Sequence, residues 1–372
     1  MKVTFVNYYY DKDIPIDKYL DKYPAVYGWC KSLSDLGISV KVYHRFAENF
    51  FFKKNNVEFN LIKDDLRNDL KWYQFPLKFH KKIIEDKHDI IHVNSFVYSY
   101  QASLLKKKIP SVKFVIQHHA EKSGHWIKQI LLRKFSNSMD GFIFSSKGIY
   151  DEWVKATAIS PEKKFAEIME GSSNFTHQDR NQIRSKTGLT GKPVFLWVGR
   201  LNENKDPLTV LSGFSKLVND FPDAKLYMIF SEDNLKEKIL TFIEQNSNLK
   251  DSVKLMGFIE HQDICDYYNS ADYFVLGSHY EGSGFSLVEA MSCGVIPIVT
   301  DIPSFRMMTD NGKIGTLWRC GDAESFYNHS KTILEKSMEA ESKKVIEQFQ
   351  NNLSYAVIGM KTKLFYESLI TY

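Results

Sequence analysis

Two glutamates, Glu281 and Glu289, stand at the ends of one short stretch, Glu281-Gly-Ser-Gly-Phe-Ser-Leu-Val-Glu289. The stretch follows an apolar run, and its pattern predicts a glycine loop that leads into a helix beginning near Ser286. Glycines let a ligand approach the backbone closely, and the first N–H groups of a helix are unpaired and favour anions. The stretch therefore predicts a phosphate site flanked by two carboxylates that could bond the hydroxyl groups of a sugar or a ribose.

Two other interpretations of these glutamates remain open. Ser286-Leu-Val-Glu289 also matches a capping box, in which Glu289 bonds the Ser286 N–H, and Glu281 could then be a solvated loop residue. The two carboxylates could instead be the acid and base of a hydrolase, although the helix start between them suits phosphate better.

Two cations occur on a second loop, Gly199-Arg200-Leu-Asn-Glu-Asn-Lys205, directly after the apolar segment 194–198. That segment predicts a strand, so Arg200 and Lys205 should lie above its carboxyl end. An arginine fork and a lysine point charge together suit a pyrophosphate. The alternative is a pair of surface cations beside Glu203 and Asp206.

Two further loops could contact a ligand. His118 and His119 follow the predicted strand 112–117, where an imidazole could bond a sugar hydroxyl or carry a proton. The alternative is a structural histidine that bonds a backbone carbonyl. The loop at Met256-Gly257-Phe-Ile259 could hold a flat base, or it could be an ordinary strand–helix connection.

Missing motifs exclude several function classes. The chain has no G-x-G-x-x-G, no G-x-x-x-x-G-K-[ST] and no G-x-S-x-G, which argues against nicotinamide-binding, P-loop and nucleophile-elbow enzymes. The cysteines lack metal-binding spacing and fit a reducing cytoplasm; they are Cys30, Cys265, Cys293 and Cys320. We therefore expect no metal ion and no cofactor.

The chain has 372 residues, which is long for one core and predicts two domains. No run approaches the roughly 18 apolar residues of a membrane span, and the first residues resemble a strand rather than a secretion signal. Residues 1–150 carry a formal charge of +10 and residues 151–372 one of −6, while 101–150 hold nine basic and two acidic residues. The basic half could face an anionic membrane or acceptor, or it could be a solvated lysine-rich exterior.

Strand and helix patterns alternate along the chain and position these residues. The first half predicts strands at 3–6, 39–43, 89–94, 112–117 and 141–145, with helices at 27–37 and 124–136. A polar, turn-rich stretch over 171–192 suits a linker. The second half predicts strands at 194–198, 225–229, 252–255, 273–276 and 295–299, with helices at 206–219, 234–245, 263–269 and 286–293. We expect α/β architecture: two doubly wound Rossmann-like domains, 1–175 and 190–352, facing a central cleft, with a helix in 355–372 returning to the first.

At these residues the chain resembles glycosyltransferase family 4, whose members have the GT-B fold. The matching pieces occur in the family's order: the loop 199–205, Met256-Gly257, the strand 271–276 and the Glu-x7-Glu segment from Glu281 to Glu289, which continues as Ala-Met-Ser-Cys-Gly-Val-Ile-Pro-Ile-Val299. The resemblance is strong over about 190–330 and weaker over 1–170, where Asp89-Ile-Ile-His-Val and Gln117-His-His119 are its best anchors.

The resemblance implies a role for each site residue. Arg200 and Lys205 would hold the donor diphosphate, Glu281 the donor sugar, Glu289 the ribose, and His119 would contact the sugar, with His118 in reserve. Backbone groups near Gly284, Phe285, Ser286 and Leu287 would meet the sugar or phosphate. The remaining donor-binding positions are Gly199, Gly257 and Ile259.

The function implied is that of a metal-independent, retaining hexosyltransferase that uses a nucleotide-diphosphate sugar, with a UDP-sugar favoured over a GDP-sugar. We expect a glycan or lipid-linked acceptor, a role in surface polysaccharide synthesis, a cytoplasmic location, and peripheral membrane contact through the basic N-terminal domain. The rivals are a GT-B sugar-nucleotide epimerase and an inactive nucleotide-sugar-binding protein. Two segments depart from the family, because Asn7-Tyr-Tyr-Tyr10 replaces the usual Gly-Gly loop and Ile229-Phe-Ser-Glu-Asp233 replaces a glycine-rich loop.

Overall fold

A computed structural model describes residues 1–11, 14–71 and 73–370 of the chain. The chain divides into two compact units, of which the first contains Met1–Gly171 with Tyr355–Tyr372 and the second contains Ser172–Ser354. The sequence predicted the change of domain within 171–192, and in the structure it falls at the start of that stretch. Each unit is an α/β structure built on its own sheet.

The first unit contains an eight-stranded sheet. Its strands are β1 (Lys2–Asp11), β2 (Ser39–Phe46), β3 (Phe50–Lys54), β4 (Val57–Lys63), β5 (Ile90–Asn94), β6 (Lys113–Gln117), β7 (Gly141–Phe144) and β8 (Lys164–Glu167). Their order is β3-β4-β2-β1-β5-β6-β7-β8, and every pair is parallel except β3–β4. The sequence analysis missed β3, β4 and β8. β3 and β8 are edge strands without a continuous buried apolar run, which is the signal that marks the inner strands.

Helices cover this sheet. They are α1 (Tyr19–Lys22), α2 (Pro24–Asp35), α3 (Leu77–Ile84), α4 (Ser99–Lys108), α5 (Trp126–Ser136) and α6 (Lys147–Lys155), with 3₁₀ turns at Ile16–Lys18 and Phe96–Tyr98. The buried side chains beneath them are mainly aromatic and branched aliphatic, so burial of apolar surface holds the helices on the sheet.

The second unit contains a six-stranded, wholly parallel sheet. Its strands are β9 (Val194–Gly199), β10 (Lys225–Phe230), β11 (Val253–Gly257), β12 (Tyr273–Leu276), β13 (Ile296–Thr300) and β14 (Thr316–Trp318), in the order β11-β10-β9-β12-β13-β14. Its helices are α7 (Arg180–Thr187), α8 (Pro207–Asp220), α9 (Lys236–Gln245), α10 (His261–Ser270), α11 (Phe285–Ser292), α12 (Pro303–Met308), α13 (Ala323–Leu334) and α14 (Met338–Gln348), with a 3₁₀ turn at Ser247–Leu249 and a π-helix at Phe349–Leu353. The order reverses at β9 and β12, the place where ligands bind in open α/β sheets.

The helix that follows the second unit, α15 (Tyr355–Ile370), packs against α2 in the first unit. At Gly28 a Cβ atom would lie 2.3 Å from the Tyr355 ring, and at Gly359 it would lie 2.7 Å from the Ser32 hydroxyl, so glycine permits both contacts. The buried Tyr366 hydroxyl and His92 Nδ1 are 2.5 Å apart, which fixes α15 on the sheet. Over the described part of the chain, no helix has both the length and the apolar character needed to cross a bilayer.

Candidate active site

A pocket of about 330 Å³ opens where β9, β10 and β11 end. Because parallel strands end at the same edge of the sheet, loops from all three meet here. Four of the predicted site residues line the pocket: Gly199, Arg200, Lys205 and Ile259. The other lining residues are Val198, Ile229, Phe230, Ser231, Phe258 and Ile264. The pocket is therefore an apolar slot with two cations at its rim.

Lys205 and Glu281 form an ion pair beside this pocket, with only 10% and 13% of their side chains exposed. The Lys205 ammonium donates a hydrogen bond to Oε1 of Glu281. The backbone N–H of Lys205 donates to the Asn202 side chain at 3.1 Å, which orders the loop. Glu281 is thus a largely buried, paired carboxylate rather than the solvated loop residue that the sequence left open.

The residue after Lys205 fixes the same loop from the other side. Asp206 is the N-cap of α8 and has a left-handed conformation (φ 41°), and its carboxylate accepts from the Thr209 N–H at 3.2 Å and from the Thr209 hydroxyl at 2.7 Å. A Cβ atom at Gly277 would lie 2.8 Å from the Asp206 carbonyl oxygen, so glycine lets the end of β12 approach. Glu203 pairs instead with Lys238, so the grouping of both cations with Glu203 and Asp206 does not form.

Arg200 has an acidic neighbour from the loop after β10. One of its guanidinium nitrogens lies 3.7 Å from Oε1 of Glu232, and both side chains are about half exposed, at 57% and 47%. Such an exposed pair contributes little stability and can change partners easily. Glu232 belongs to the segment 229–233 that departs from the family's glycine-rich loop, so the chain itself supplies a carboxylate here.

The helix after the Gly-Ser-Gly loop begins at Phe285, with Gly284 as its N-cap. Gly284 has φ +61°, and a Cβ atom there would lie 2.6 Å from the Phe305 ring, so only glycine fits without strain. The first N–H groups of α11, on Phe285 and Ser286, lie in the turn where helices leave donors unpaired. Leu287 is different, because its side chain is buried and its N–H donates to the Gly284 carbonyl at 2.9 Å.

Glu289 is held by two residues of α10 instead of by its own helix start. Its Oε1 lies 2.7 Å from Nε2 of His261, and its Oε2 accepts from the Tyr268 hydroxyl at 3.0 Å. The capping-box alternative is therefore wrong, since the N-cap is Gly284 and no side chain caps the helix. The hydrogen bond that the His261 ring donates to the Glu289 carboxylate raises the pKa of His261, although burial opposes it.

The two histidines after β6 have different surroundings. His118 is fully buried, its ring stacks on Phe144 at 5.0 Å, and its Nε2 lies 2.9 Å from the Glu121 carbonyl oxygen. This is the structural environment that the sequence left open as the alternative. His119 is partly exposed, and its Nδ1 lies 3.2 Å from Oε2 of Glu170.

Burial lowers the pKa of His119, but the hydrogen bond and charge of Glu170 and the charge of Glu121 outweigh burial, so the net pKa is raised. The Glu121 carboxylate also accepts from the His119 N–H at 2.5 Å and from the Phe96 N–H at 2.9 Å, which anchors the loop. The remaining ring nitrogen, Nε2 of His119, is buried and has no hydrogen-bond partner among the described residues.

Four residues at these sites were not predicted: Glu170, Glu232, His261 and Tyr268. Glu170 follows β8 and falls next to the stretch interpreted as a linker, so only its position beside a strand end could have signalled it. His261 and Tyr268 lie seven positions apart on α10, a spacing that places them on one face of a helix. Gly257 ends β11 with φ +73°, as a sharp turn into the pocket loop requires.

Two family models match the chain. The model described as "Glycosyl transferases group 1" covers residues 179–352, and the one described as "Glycosyltransferase Family 4" covers residues 25–164. This chain belongs to glycosyltransferase family 4. The two models together match both halves of the chain, including the first half, where the motifs that carry the resemblance are sparse.

Two curated relatives of this family 4 chain illustrate the likeness. Mannosylfructose-phosphate synthase of Agrobacterium fabrum is 36% identical over 127 residues, 32% of this chain and 28% of that protein. A GDP-mannose:cellobiosyl-diphosphopolyprenol alpha-mannosyltransferase of Xanthomonas campestris is 24% identical over 229 residues, 60% of this chain and 59% of that protein. The matched regions therefore span less than two thirds of either relative.

Solved structures show the same fold over the whole chain. Anabaena HepE in complex with UDP-glucose has a TM-score of 0.71 at 16% identity, and the match covers 100% of both chains. A glycosyltransferase from Rickettsia africae has a TM-score of 0.76 at 15% identity, covering 99% of this chain and 98% of that one. The family 4 chain has the GT-B fold that the sequence predicted. Among the residues that the structure describes, no group of three or more His, Cys, Asp or Glu could hold a metal ion.

Proposed function

We propose that this chain is a glycosyltransferase that moves a hexosyl unit from a nucleoside-diphosphate sugar to a glycan or lipid-linked acceptor. The observation that carries the proposal is the buried Lys205–Glu281 pair at the rim of a pocket that also presents Arg200. Lys205 is fixed by its ion pair, and the same pair holds the Glu281 carboxylate in place. Arg200 is more exposed and can reorient towards a ligand. This arrangement suits a diphosphate with a sugar attached.

Each residue then has a task in the transfer. Arg200 and Lys205 bind the diphosphate oxygens and stabilise the charge that develops as the bond to the sugar breaks. Glu281, oriented by Lys205, accepts hydrogen bonds from hydroxyl groups of the donor sugar. Glu289, held by His261 and Tyr268, accepts from the ribose hydroxyls. The amides of Phe285 and Ser286 supply further donors at the start of a helix.

Transfer with retention follows if the acceptor attacks from the face that the diphosphate leaves. The leaving phosphate oxygen then takes the acceptor proton, so catalysis is mainly positioning and electrostatics and needs no protein nucleophile. The two cations and the start of α11 supply the positive charge that a metal ion provides elsewhere, and we propose metal-independent transfer on this basis. His119 would contribute its unpaired Nε2 to the donor sugar.

We propose a UDP-sugar as the donor. Anabaena HepE, which shares the fold, is solved with UDP-glucose, whereas the Xanthomonas relative is named for GDP-mannose. The base would lie in the apolar slot against Phe258 and Ile259. Phe258 is 64% exposed, so its ring is accessible to a base. Phe258 and Ile259 follow Gly257, and its left-handed turn brings both to the pocket.

We further propose that the protein works at the cytoplasmic face of a membrane in surface polysaccharide synthesis. The supporting feature is α5, on which Trp126, Ile127 and Ile130 are 68%, 47% and 55% exposed. Lys128, Arg133 and Lys134 flank these apolar residues on the same helix. A helix with exposed aromatic and aliphatic residues among cations binds anionic lipid surfaces.

A donor screen tests the enzymatic proposal. The protein is incubated with UDP- and GDP-sugars and with polyprenol-diphosphate and saccharide acceptors, and release of the nucleoside diphosphate and formation of product are measured. We expect acceptor-dependent release with at least one UDP-sugar, with the anomeric configuration retained by NMR. Conversion of the sugar nucleotide without an acceptor would favour the epimerase, and tight binding without turnover would favour the binding protein.

Vesicle sedimentation tests the membrane proposal separately. Binding to vesicles with and without phosphatidylglycerol is compared for the unaltered protein, Trp126→Ser, and the matched control Phe51→Ser, a 66% exposed aromatic residue on β3. We expect binding only to anionic vesicles, weakened by Trp126→Ser and not by the control. Equal binding by Trp126→Ser and the unaltered protein would exclude α5 as the contact.

A further inference from the structure

Two cysteines of the second unit, Cys265 and Cys293, share one hydrogen-bond donor. Cys265 lies within α10, and Cys293 is the C-cap of α11. The side-chain amide nitrogen of Asn269 lies 3.4 Å from the Cys265 sulfur and 3.5 Å from the Cys293 sulfur. The same nitrogen is 3.0 Å from the carbonyl oxygens of Thr176 and of Cys265, so its position is fixed from several sides. One ordered amide nitrogen thus lies against both sulfurs.

The two thiols differ in exposure and acidity. Cys293 is buried, whereas Cys265 is partly exposed. A hydrogen bond from the Cys293 thiol is the largest effect on Cys265 and lowers its pKa to about 7, although burial opposes it. The same bond and burial raise the pKa of Cys293. Cys265 therefore has a substantial thiolate fraction at neutral pH and lies within reach of solvent, while its neighbour stays a protected thiol.

We propose that Cys265 and Cys293 are a peroxide-reactive thiol pair that closes to a disulfide. The Cys265 thiolate attacks hydrogen peroxide, breaks the O–O bond and becomes a sulfenic acid, and the displaced hydroxide takes a proton to become water. The Cys293 thiol then attacks the sulfenic sulfur, an S–S bond forms, and a second water leaves. Two thiols are oxidised by two electrons and one peroxide is reduced to two waters. A low-molecular-weight thiol reverses the reaction by exchange.

The other two cysteines lack this combination. Cys30 is fully buried and its pKa is raised by burial. Cys320 is partly exposed, but burial and then the charge of Asp206 raise its pKa. Its sulfur lies 3.1 Å from Nδ1 of His279 and has no second thiol beside it. Cys320 is therefore a matched control, since it is comparably accessible and lacks a resolving partner.

Formation of the disulfide would displace Glu289. The effect on nucleotide binding rests on the proposed function, in which Glu289 binds the ribose. Glu289 is four residues before Cys293, and its two partners, His261 and Tyr268, flank Cys265 on α10. A disulfide requires the two sulfurs to approach to about 2.05 Å. The approach pulls α10 against the end of α11 and displaces the pair of donors that hold the carboxylate. We expect the oxidised protein to bind the nucleotide more weakly.

Peptide mapping tests the chemistry. The purified chain is treated with hydrogen peroxide, blocked with iodoacetamide, and digested with trypsin and a glutamate-specific protease. Trypsin alone leaves both cysteines in one peptide, whereas cleavage after Glu281 and Glu289 separates them into 261–281 and 290–306. We expect these two peptides to be linked, and the link to be lost in Cys265→Ser and Cys293→Ser and kept in Cys320→Ser. Oxidation of Cys265 to sulfinic acid without a link in the unaltered protein would overturn the pair.

Alkylation of the unaltered protein covers the case in which a variant fails to fold. The rate of iodoacetamide reaction at each cysteine is followed against pH, and we expect Cys265 to react first, with a midpoint near pH 7. Faster reaction of Cys320 than of Cys265 would overturn the assignment.

Nucleotide titration then separates this inference from the proposed function. We expect oxidation to raise the Kd for the nucleoside diphosphate by at least about fivefold, reversibly with dithiothreitol. A disulfide that leaves Kd unchanged would overturn the link to Glu289 while the thiol pair stands. A reduced protein that binds no nucleotide would overturn the proposed function and leave the peptide map unaffected.

Discussion

The His119–Glu170 pair of the first unit and the His261–Glu289 pair of the second unit differ in their surroundings. In the first unit, Nδ1 of His119 lies 3.2 Å from Oε2 of Glu170, and the two side chains are 26% and 8% exposed. In the second, Nε2 of His261 lies 2.7 Å from Oε1 of Glu289, and the two side chains are 65% and 16% exposed. The pKa of both histidines is raised. At His261 the largest cause is the hydrogen bond to Glu289. At His119 burial is the largest single effect and lowers the pKa, but Glu170 and Glu121 together outweigh it.

The difference teaches which charged contacts are fixed and which can be exchanged. A buried pair leaves an uncompensated charge when one partner is removed, whereas an exposed pair is screened by water and salt. The same contrast separates the buried Lys205–Glu281 pair from the exposed Arg200–Glu232 pair within one site. We therefore expect the Lys205–Glu281 and His119–Glu170 pairs to stay formed when a ligand binds, and the more exposed pairs to exchange their partners for the ligand.

The largest effect is expected from Lys205→Ala. The substitution removes a diphosphate-binding cation and leaves Glu281 buried without its partner, so kcat/KM should fall about 10²- to 10³-fold. Steady-state kinetics with the donor identified by the screen provide the measurement. Lys238→Ala removes an exposed lysine paired with Glu203 and should leave kcat/KM unchanged. Activity of Lys205→Ala within threefold of the unaltered protein would remove this pair from the mechanism.

The His119–Glu170 pair, the less exposed of the two, predicts a pH-dependent stability. The pKa of folded His119 is raised, so the pair contributes fully below the unfolded value of about 6.5 and its contribution is lost as pH rises through the raised folded value. Glu170→Gln should therefore lower the unfolding free energy by about 1–3 kcal/mol at pH 6 and by less at pH 9. Urea unfolding at both pH values measures it, and NMR titration of the His119 ring should show a lower midpoint in the variant. A constant difference across pH would contradict the assignment.

The exposed histidine pair predicts a binding effect without a comparable stability effect. Glu289→Gln replaces a charged acceptor for the ribose by a neutral one, so the Kd for the nucleoside diphosphate should rise about tenfold. The unfolding free energy should change by less than about 1 kcal/mol, because the His261 ring faces water. Calorimetric titration and urea unfolding test both values. A stability loss equal to that of Glu170→Gln would erase the distinction between the pairs.

The smallest effect is expected from Glu232→Ala. Removing this carboxylate frees Arg200 for the donor diphosphate, so affinity should increase about two- to threefold at low salt and the gain should vanish at high salt. Titrations at two ionic strengths measure it, with Glu237→Ala on α9 as a control that removes an acidic residue outside the pocket. A loss of affinity would mean that Glu232 itself contacts the donor.

The parts of the site that the sequence predicted are those encoded within one loop. Arg200 and Lys205 share a segment, as do Glu281 and Glu289, and glycines mark both. The partners could not be predicted, because Lys205 and Glu281 are 76 positions apart and His119 and Glu170 are 51 apart. Contacts over such separations depend on strand order, which local patterns do not contain.

The fold was predicted in the same uneven way. Most inner parallel strands carry continuous apolar runs and were found, whereas the β3–β4 hairpin, β8 and the short edge strand β14 do not carry that signal and were missed. The capping box failed for a physical reason, since Gly284 in the left-handed conformation starts the helix one residue earlier and leaves Glu289 to face α10. The family resemblance added roles that residue types alone left open.

The closing of the first unit by α15 has a consequence for how the chain is made. Tyr355 fills the space beside Gly28, and Tyr366 bonds His92, but both emerge from the ribosome only after all of Ser172–Ser354. In the unit that is synthesised first, the face of α2 that α15 covers therefore stays exposed until the second unit has been synthesised. We expect the nascent chain to rely on chaperone protection during this interval, and the order of maturation to be the reverse of the order of synthesis.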